Sequence, residues 1–172
     1  MAETAVRTAA IADAPAIARV HVRAWQAGYR GIVPDAILDG LSLPLHERRW
    51  RDLLGGSEAA FTLVAERRGR IAGFCAAMAP SRDADARPRT AEIGAIYVDP
   101  DAWRGGVGQV LMSAALERLA SEGWEHATLW VLAGNERARA FYARLGFAQD
   151  GGRMPHRTGA PQIRLRRGIA GL

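Results

Sequence analysis

Residues 104–108 read Arg-Gly-Gly-Val-Gly, with three glycines in four positions between the apolar stretch AEIGAIYV and the amphipathic stretch GQVLMSAALERLASEG. Glycine costs roughly 1 kcal/mol against alanine in a helix interior, so a chain that opens a helix with it needs bare backbone there. A helix N-terminus carries unsatisfied N–H groups and partial positive charge, and it attracts phosphate oxygens. Glycines let those oxygens reach the N–H groups directly, and Arg104 adds a fixed cation. The predicted chemistry is a phosphate cradle built from Arg104, Gly105, Gly106, Val107, Gly108 and Gln109. The alternative is a tight strand-to-helix turn that binds nothing.

Two common phosphate binders do not fit. A nucleoside-triphosphatase loop needs Gly-Lys-Ser/Thr, and this chain has no lysine, all 23 of its basic residues being arginine. A dinucleotide fold wants Gly-x-Gly-x-x-Gly after the first strand of its βαβ unit. Here the spacing differs and the loop follows a late strand.

The segment YVDPDAWRGGVGQVLM resembles the acetyl-CoA signature of the GNAT superfamily of N-acetyltransferases, Gln/Arg-x-x-Gly-x-Gly/Ala after an apolar strand that ends Val-x-Pro. Gly106 and Gly108 match. Trp103 stands where the family most often has Gln or Arg. A second segment, NERARAFYARLGF, is similar to the family's later motif through Asn135, Ala138, Phe141, Tyr142, Gly146 and Phe147. The two motifs come in the family's order, around a helix and a buried strand.

The resemblance implies an acetyl-CoA-dependent enzyme in which an amine attacks the thioester directly within a ternary complex. It implies that the backbone of Ile96, Tyr97 and Val98 pairs with the pantetheine arm as an added strand, and that residues 104–109 hold the pyrophosphate. Asn135 would hydrogen-bond the arm near its thiol end, while its local role is a helix N-cap; one side chain can do both. Tyr142 is the implied acid, since a phenol with a pKa of about 10 suits a thiol leaving group near about 8.5. Its other reading is a core aromatic. Glu92 is the candidate base, a carboxylate on an otherwise apolar strand, where desolvation would raise its pKa. Two alternatives stand beside it: an exposed residue at the start of the strand, with no catalytic part, and a chain of water molecules as the base.

Acceptor choice in the family rests on the first helices and on the loops before the fourth strand and between the last two, here HVRAWQAGYRGIVP, SRDADARPRT and GGRMPHRTGAP. Trp25 and Tyr29, four apart, share a helical face and serve either as walls of an acceptor pocket or as core. His21 and His156 read as packing or surface residues, and no metal constellation is present. The expected acceptor is a small-molecule primary amine such as an amino acid, polyamine or drug-like amine. Alternatives are a protein N-terminus or lysine, and a non-catalytic acyl-CoA sensor of the same fold. Homodimers are common among relatives.

These residues need elements to position them. Residues 4–8 alternate as a strand. Asp13 and Pro15 open a helix carrying Ile17, Val20, Ala24 and Tyr29. A turn from Pro34-Asp35 and a helix from Ser42 to Leu54 follow, ended by Gly55-Gly56-Ser57. AFTLVAER and RIAGFCAAMA form a hairpin about Arg68-Gly69. After the strand AEIGAIYV comes the glycine loop, then a helix with Val110, Leu111, Ala114, Ala115 and Leu119 on one side. HATLWVLA is a buried strand, Asn135 caps a helix that stops at Gly146, and FAQDGG and QIRLRRG are closing strands.

This order gives an α/β (α+β) sandwich with a mixed sheet rather than a doubly wound fold. The resemblance sharpens it to one domain over residues 1–172, with a mostly antiparallel sheet of about seven strands, flanking helices and splayed fourth and fifth strands. At 172 residues, 49% hydrophobic and 24% charged, the composition is that of a globular chain. No apolar run approaches the roughly 20 residues of a membrane span, and the N-terminus lacks a secretory pattern. Cys75 reads as a strand core residue. A cytoplasmic setting is expected, and the arginine-only bias reads as GC-rich, bacterial base composition. The net charge of +5 suits an anionic ligand; scattered arginines without interleaved aromatics argue against nucleic acid.

Overall fold

The computed structural model describes residues 3–56 and 61–172. Ser57 of the expected helix stop and Ala60 of the expected hairpin lie outside the described residues. In chain order the elements are β1 (Thr4–Thr8), α1 (Ala14–Gly28), α2 (Asp35–Asp39), α3 (Leu43–Gly55), β2 (Phe61–Arg67), β3 (Arg70–Met78), β4 (Thr90–Val98), α4 (Val107–Ser121), β5 (His126–Leu132), α5 (Glu136–Arg144), β6 (Ala148–Pro155) and β7 (Pro161–Gly168). The strands form one seven-stranded sheet, ordered β1-β2-β3-β4-β5-β7-β6. Only the β4–β5 pair is parallel.

Local chemistry sets most boundaries. The Ser42 hydroxyl accepts the Leu45 N–H and starts α3, and Arg68 and Gly69 turn the β2–β3 hairpin with φ of 52° and 70°. Asp13 precedes α1 but does not cap it with its side chain. Its carboxylate turns back to accept the Ala10 N–H and to pair with Arg7 at 2.7 Å.

Helix α4 covers one face of the sheet, burying Leu111, Met112, Leu116 and Leu119 against Leu63, Cys75, Ile93 and Leu129. Each such side chain contributes about 1.5–3 kcal/mol by leaving water. Val110, expected on this side, is 41% exposed, because it falls outside the stripe that Val107, Leu111 and Ala115 present to the sheet. Helices α1 and α3 cover the other face, where Ile17, Val20 and Trp50 meet Val64 and Phe74. Cys75 is fully buried, and burial pushes its thiol up to about 12.

The feature that makes a site is the divergence of β4 from β5. Their pairing covers only Thr90–Glu92 against His126–Thr128, after which Ile93–Val98 has a partner only in β3. The β3–β4 register shifts there, with Ala76 opposite Ala95 but Ala77 opposite Ile93, leaving Gly94 as the unpaired residue of a bulge. A bulge bends its strand and increases its twist, which carries β4 away from β5. The methyl group of Met78 fills the space beside Gly94 where a Cβ would stand, so a larger residue there would have to displace it.

Candidate functional site

A cleft of about 880 Å³ occupies the gap between the splayed strands. The bare edge of β4 forms one wall, and β5 with α5 forms the other. The first turn of α4 closes one end, and Ala24 and Gly28 of α1, with Tyr29 just after the helix, also border the cleft.

The glycine loop has three separate reasons for its glycines. Gly106 has φ +81° and nothing near the place of its absent Cβ, so it combines a left-handed backbone with open space. Gly108 lies against Phe141, 3.3 Å from the position of a Cβ, and lets α5 approach α4. Gly105 packs under the Arg67 guanidinium, and its N–H donates to Ala102 O at 3.3 Å. The first helical bond of α4 runs from Val110 N–H to Gly106 O, and no side chain caps the helix. The N–H groups of Gly106, Val107, Gly108 and Gln109 therefore have no acceptor among the described residues. That is the arrangement expected of an anion cradle, with Gly105 outside the donor set.

Charge follows the same pattern. Arg104, Arg137 and Arg144 line the cleft, and no carboxylate among the described residues does. Arg137 stacks on Trp103, its guanidinium carbon 3.5 Å from the ring centroid. Desolvation and the neighbouring charge of Arg104 both lower its pKa. Two cations brought together without a carboxylate form a site that an anion completes. The Trp103 indole N–H donates to Val98 O at 2.8 Å, so this carbonyl, expected to pair with an extended ligand, already has one partner. Ile96 and Tyr97 keep the edge toward β5 free of strand pairing.

Tyr142 faces the cleft, and its hydroxyl makes no hydrogen bond among the described residues. Burial pushes its pKa above the ordinary phenol range, so at neutral pH it is a protonated donor without an acceptor. Asn135 is 8% exposed and caps α5 by accepting the Ala138 N–H at 3.1 Å through Oδ1. Its Nδ2 is left free toward the cleft.

Glu92 departs from the exposed reading and is a buried, paired carboxylate. It is 3% exposed, so it is not a surface residue. Arg82 donates to it from Nη2 at 2.9 Å and from its backbone N–H at 3.3 Å. It lies where β4 and β5 are still paired and does not line the cleft.

Tyr29 and Trp25 separate. Tyr29 borders the cleft, with its hydroxyl 3.2 Å from that of Tyr97, while Trp25 is 4% exposed and packs with Val33, Leu38 and Leu132. His21 is buried beneath them. It accepts the Trp50 indole N–H at 3.0 Å and stacks on Tyr97, and desolvation drives its pKa down to about 3. Two cleft residues had no sequence signal. Arg137 is one arginine among 23, and Trp130 lies in an apolar run, yet its indole reaches Asp83 of the β3–β4 loop at 3.2 Å. Among the described residues, no group of three or more His, Cys, Asp or Glu is placed to hold a metal, and no helix is long and apolar enough to cross a membrane.

Residues 25–147 match the model of the Acetyltransferase (GNAT) family. The chain is 29% identical over 130 residues to the uncharacterized N-acetyltransferase YuaI of Bacillus subtilis, covering 76% of this chain and 72% of that one. It is 34% identical over 142 residues to a mycothiol acetyltransferase of Amycolatopsis mediterranei, spanning 80% of this chain but only 43% of that relative. In fold it is similar to the PaiA N-acetyltransferase of Thermoplasma acidophilum, solved in complex with coenzyme A. The TM-score is 0.76 at 16% identity, over 96% of this chain and 99% of that one. A GCN5-related N-acetyltransferase of Rhodopseudomonas palustris gives 0.77 at 19% identity, over 98% of each chain.

Proposed function

The chain belongs to the GNAT family of acetyltransferases, and from that premise we propose that it acetylates the primary amine of a small molecule with acetyl-CoA. The observation that carries this reading is the cleft itself, with unpartnered amides and clustered arginines at one end and an unpartnered phenol between the splayed strands. The residues fit the coenzyme in charge and in shape. The N–H groups of Gly106, Val107, Gly108 and Gln109 would hold the pyrophosphate, with Arg104 and Arg137 balancing its charge. The β4 edge at Ile96 and Tyr97 would pair with the amide-bearing arm, and Asn135 Nδ2 would donate to it near the thiol end.

When bound, acetyl-CoA supplies an acetyl group whose bond to sulfur is exchanged for one to the acceptor nitrogen, with one proton leaving the nitrogen and one joining the sulfur. Tyr142 delivers that second proton, its phenol kept protonated by burial. The amine's proton leaves to water in the open end of the cleft. Glu92, tied to Arg82, holds the β3–β4 loop against β4 and is a positioning residue in this reading. The domain extends over residues 1–172.

Calorimetric titration with acetyl-CoA, followed by a thiol-release assay over a panel of primary amines, tests the proposal. Binding with release dependent on a small amine is expected. Binding without release from any amine or peptide makes the chain a sensor, and absence of binding removes the site.

A further inference from the structure

The open end of the cleft has an unusual charge pattern. Helix α1 and strands β4 and β5 line the cleft here, and α2, the β3–β4 loop and the hairpin of β6 and β7 pack behind them. Every Asp and Glu on those elements is engaged by an arginine. Arg30 pairs with Asp35 and Asp39, and Arg82 pairs with Glu92. Arg164, 6% exposed, takes Asp83, Asp85 and Asp150 at 3.2, 2.6 and 2.9 Å. Helix α1 and strands β5 and β7 contain no acid at all.

Arg19, Arg87, Arg153, Arg157, Arg166 and Arg167 on these elements make no ion pair among the described residues, and of these Arg157 is the one set against an aromatic ring. Arg157, at the tip of the β6–β7 hairpin, makes no ion pair among the described residues and lies with its guanidinium carbon 4.9 Å from the Trp25 ring centroid. Its loop is braced internally. His156 N–H donates to Ala160 O and Gly159 N–H to His156 O, both at 2.8 Å, and the His156 ring packs 5.6 Å from Trp25. Ala160 packs into the same cluster as Trp25 and Tyr29. Arg157 is itself exposed and outside the cleft lining, but the Trp25 ring it lies against packs on Tyr29 and Tyr97, which do line the cleft. The guanidinium is near enough to Tyr97 that its charge acts on that phenol's pKa.

We infer that Arg157 receives a carboxylate carried by the acceptor, so that the substrate class is an amine that also bears a carboxylate, an amino acid, rather than a polyamine. The inference rests on the acetyltransferase reading above and narrows it. A polyamine needs free carboxylates for its second and third charges, and no carboxylate among the described residues lines the cleft. An amino acid needs one fixed cation a few ångströms from where its nitrogen reacts, and a guanidinium binds a carboxylate with two parallel N–H bonds. Trp25 keeps the guanidinium oriented by stacking.

The test uses the full chain saturated with acetyl-CoA and a panel of amino acids, each paired with its own carboxamide, read by thiol release and by tryptophan fluorescence. The free acid of the preferred pair should exceed its amide in kcat/KM by about tenfold or more. Arg157→Gln should bring the acid down to its amide, through KM rather than kcat, and Arg157→Lys should recover part of the difference. Amides that work as well as acids, or an acid preference that survives Arg157→Gln, would overturn the inference. Coenzyme binding with no response to either member of any pair also overturns it and leaves the coenzyme site standing. Loss of coenzyme binding itself is the separate failure of the acetyltransferase reading.

Discussion

The guanidinium of Arg137, on α5, lies flat on the indole of Trp103, which precedes the glycine loop, with 3.5 Å between the guanidinium carbon and the ring centroid. The indole is fixed in turn by its bond to Val98 O. At the position where the family most often places Gln or Arg, this chain has an aromatic platform that carries an arginine borrowed from another element. Trp103→Ala should therefore weaken acetyl-CoA binding by about tenfold, the range of a partly desolvated cation–π contact. Arg137→Ala should do the same, and the double variant should lose little more. Isothermal titration of the three variants checks this, and full additivity would mean that the two residues act separately.

Gly106 tests the cradle. Gly106→Ala forces a methyl group onto a backbone with φ +81° and should cost about 1–2 kcal/mol of stability, while the open space there leaves coenzyme binding measurable. Gly106→Glu adds a negative charge among the four free amides and should abolish binding. Thermal melts and titrations on both variants separate strain from electrostatics; retained affinity in Gly106→Glu would remove the cradle.

Tyr142→Phe removes a hydroxyl that no protein group uses, so stability should barely change. Turnover should fall by about a hundredfold while the Kd for acetyl-CoA stays constant. Equal turnover would leave the tyrosine as packing alone.

Glu92→Gln asks where the amine's proton goes. With Arg82 bonded to the carboxylate, the variant should keep the acidic limb of the wild-type pH–rate profile and lose stability in the β3–β4 loop. Disappearance of that limb would restore Glu92 as the base.

His21 makes the fold sensitive to acid. Its pKa is about 3 in the folded chain against an ordinary 6.5, so below pH 6.5 the unfolded chain binds a proton that the folded one refuses. The stabilising contribution is complete above that pH and declines as pH falls toward 3, by up to about 1.4 kcal/mol per pH unit. His21→Asn, which keeps an acceptor for Trp50, should flatten the decline in urea melts between pH 6.5 and 4. An unchanged slope would assign the decline to other groups.

What the sequence determined was whatever depends on neighbours along the chain. Glycines 105, 106 and 108 before an apolar helix, Asn135 three residues ahead of Ala138, and the alternation or continuity of apolar runs fixed the elements, their order and the family. Cys75 in a run of small residues was already a core residue. The tertiary structure alone decided what each group faces. Whether Glu92 is free depends on Arg82, ten residues away across a loop; Gly105 and Gly106 look alike in sequence but only one leaves its amide available. Arginines are identical letters 23 times over. Arg137 and Arg157 stand out because the folded chain sets the first on Trp103 beside another cation and the second against Trp25, and electrostatic energy depends on distance through space rather than along the backbone.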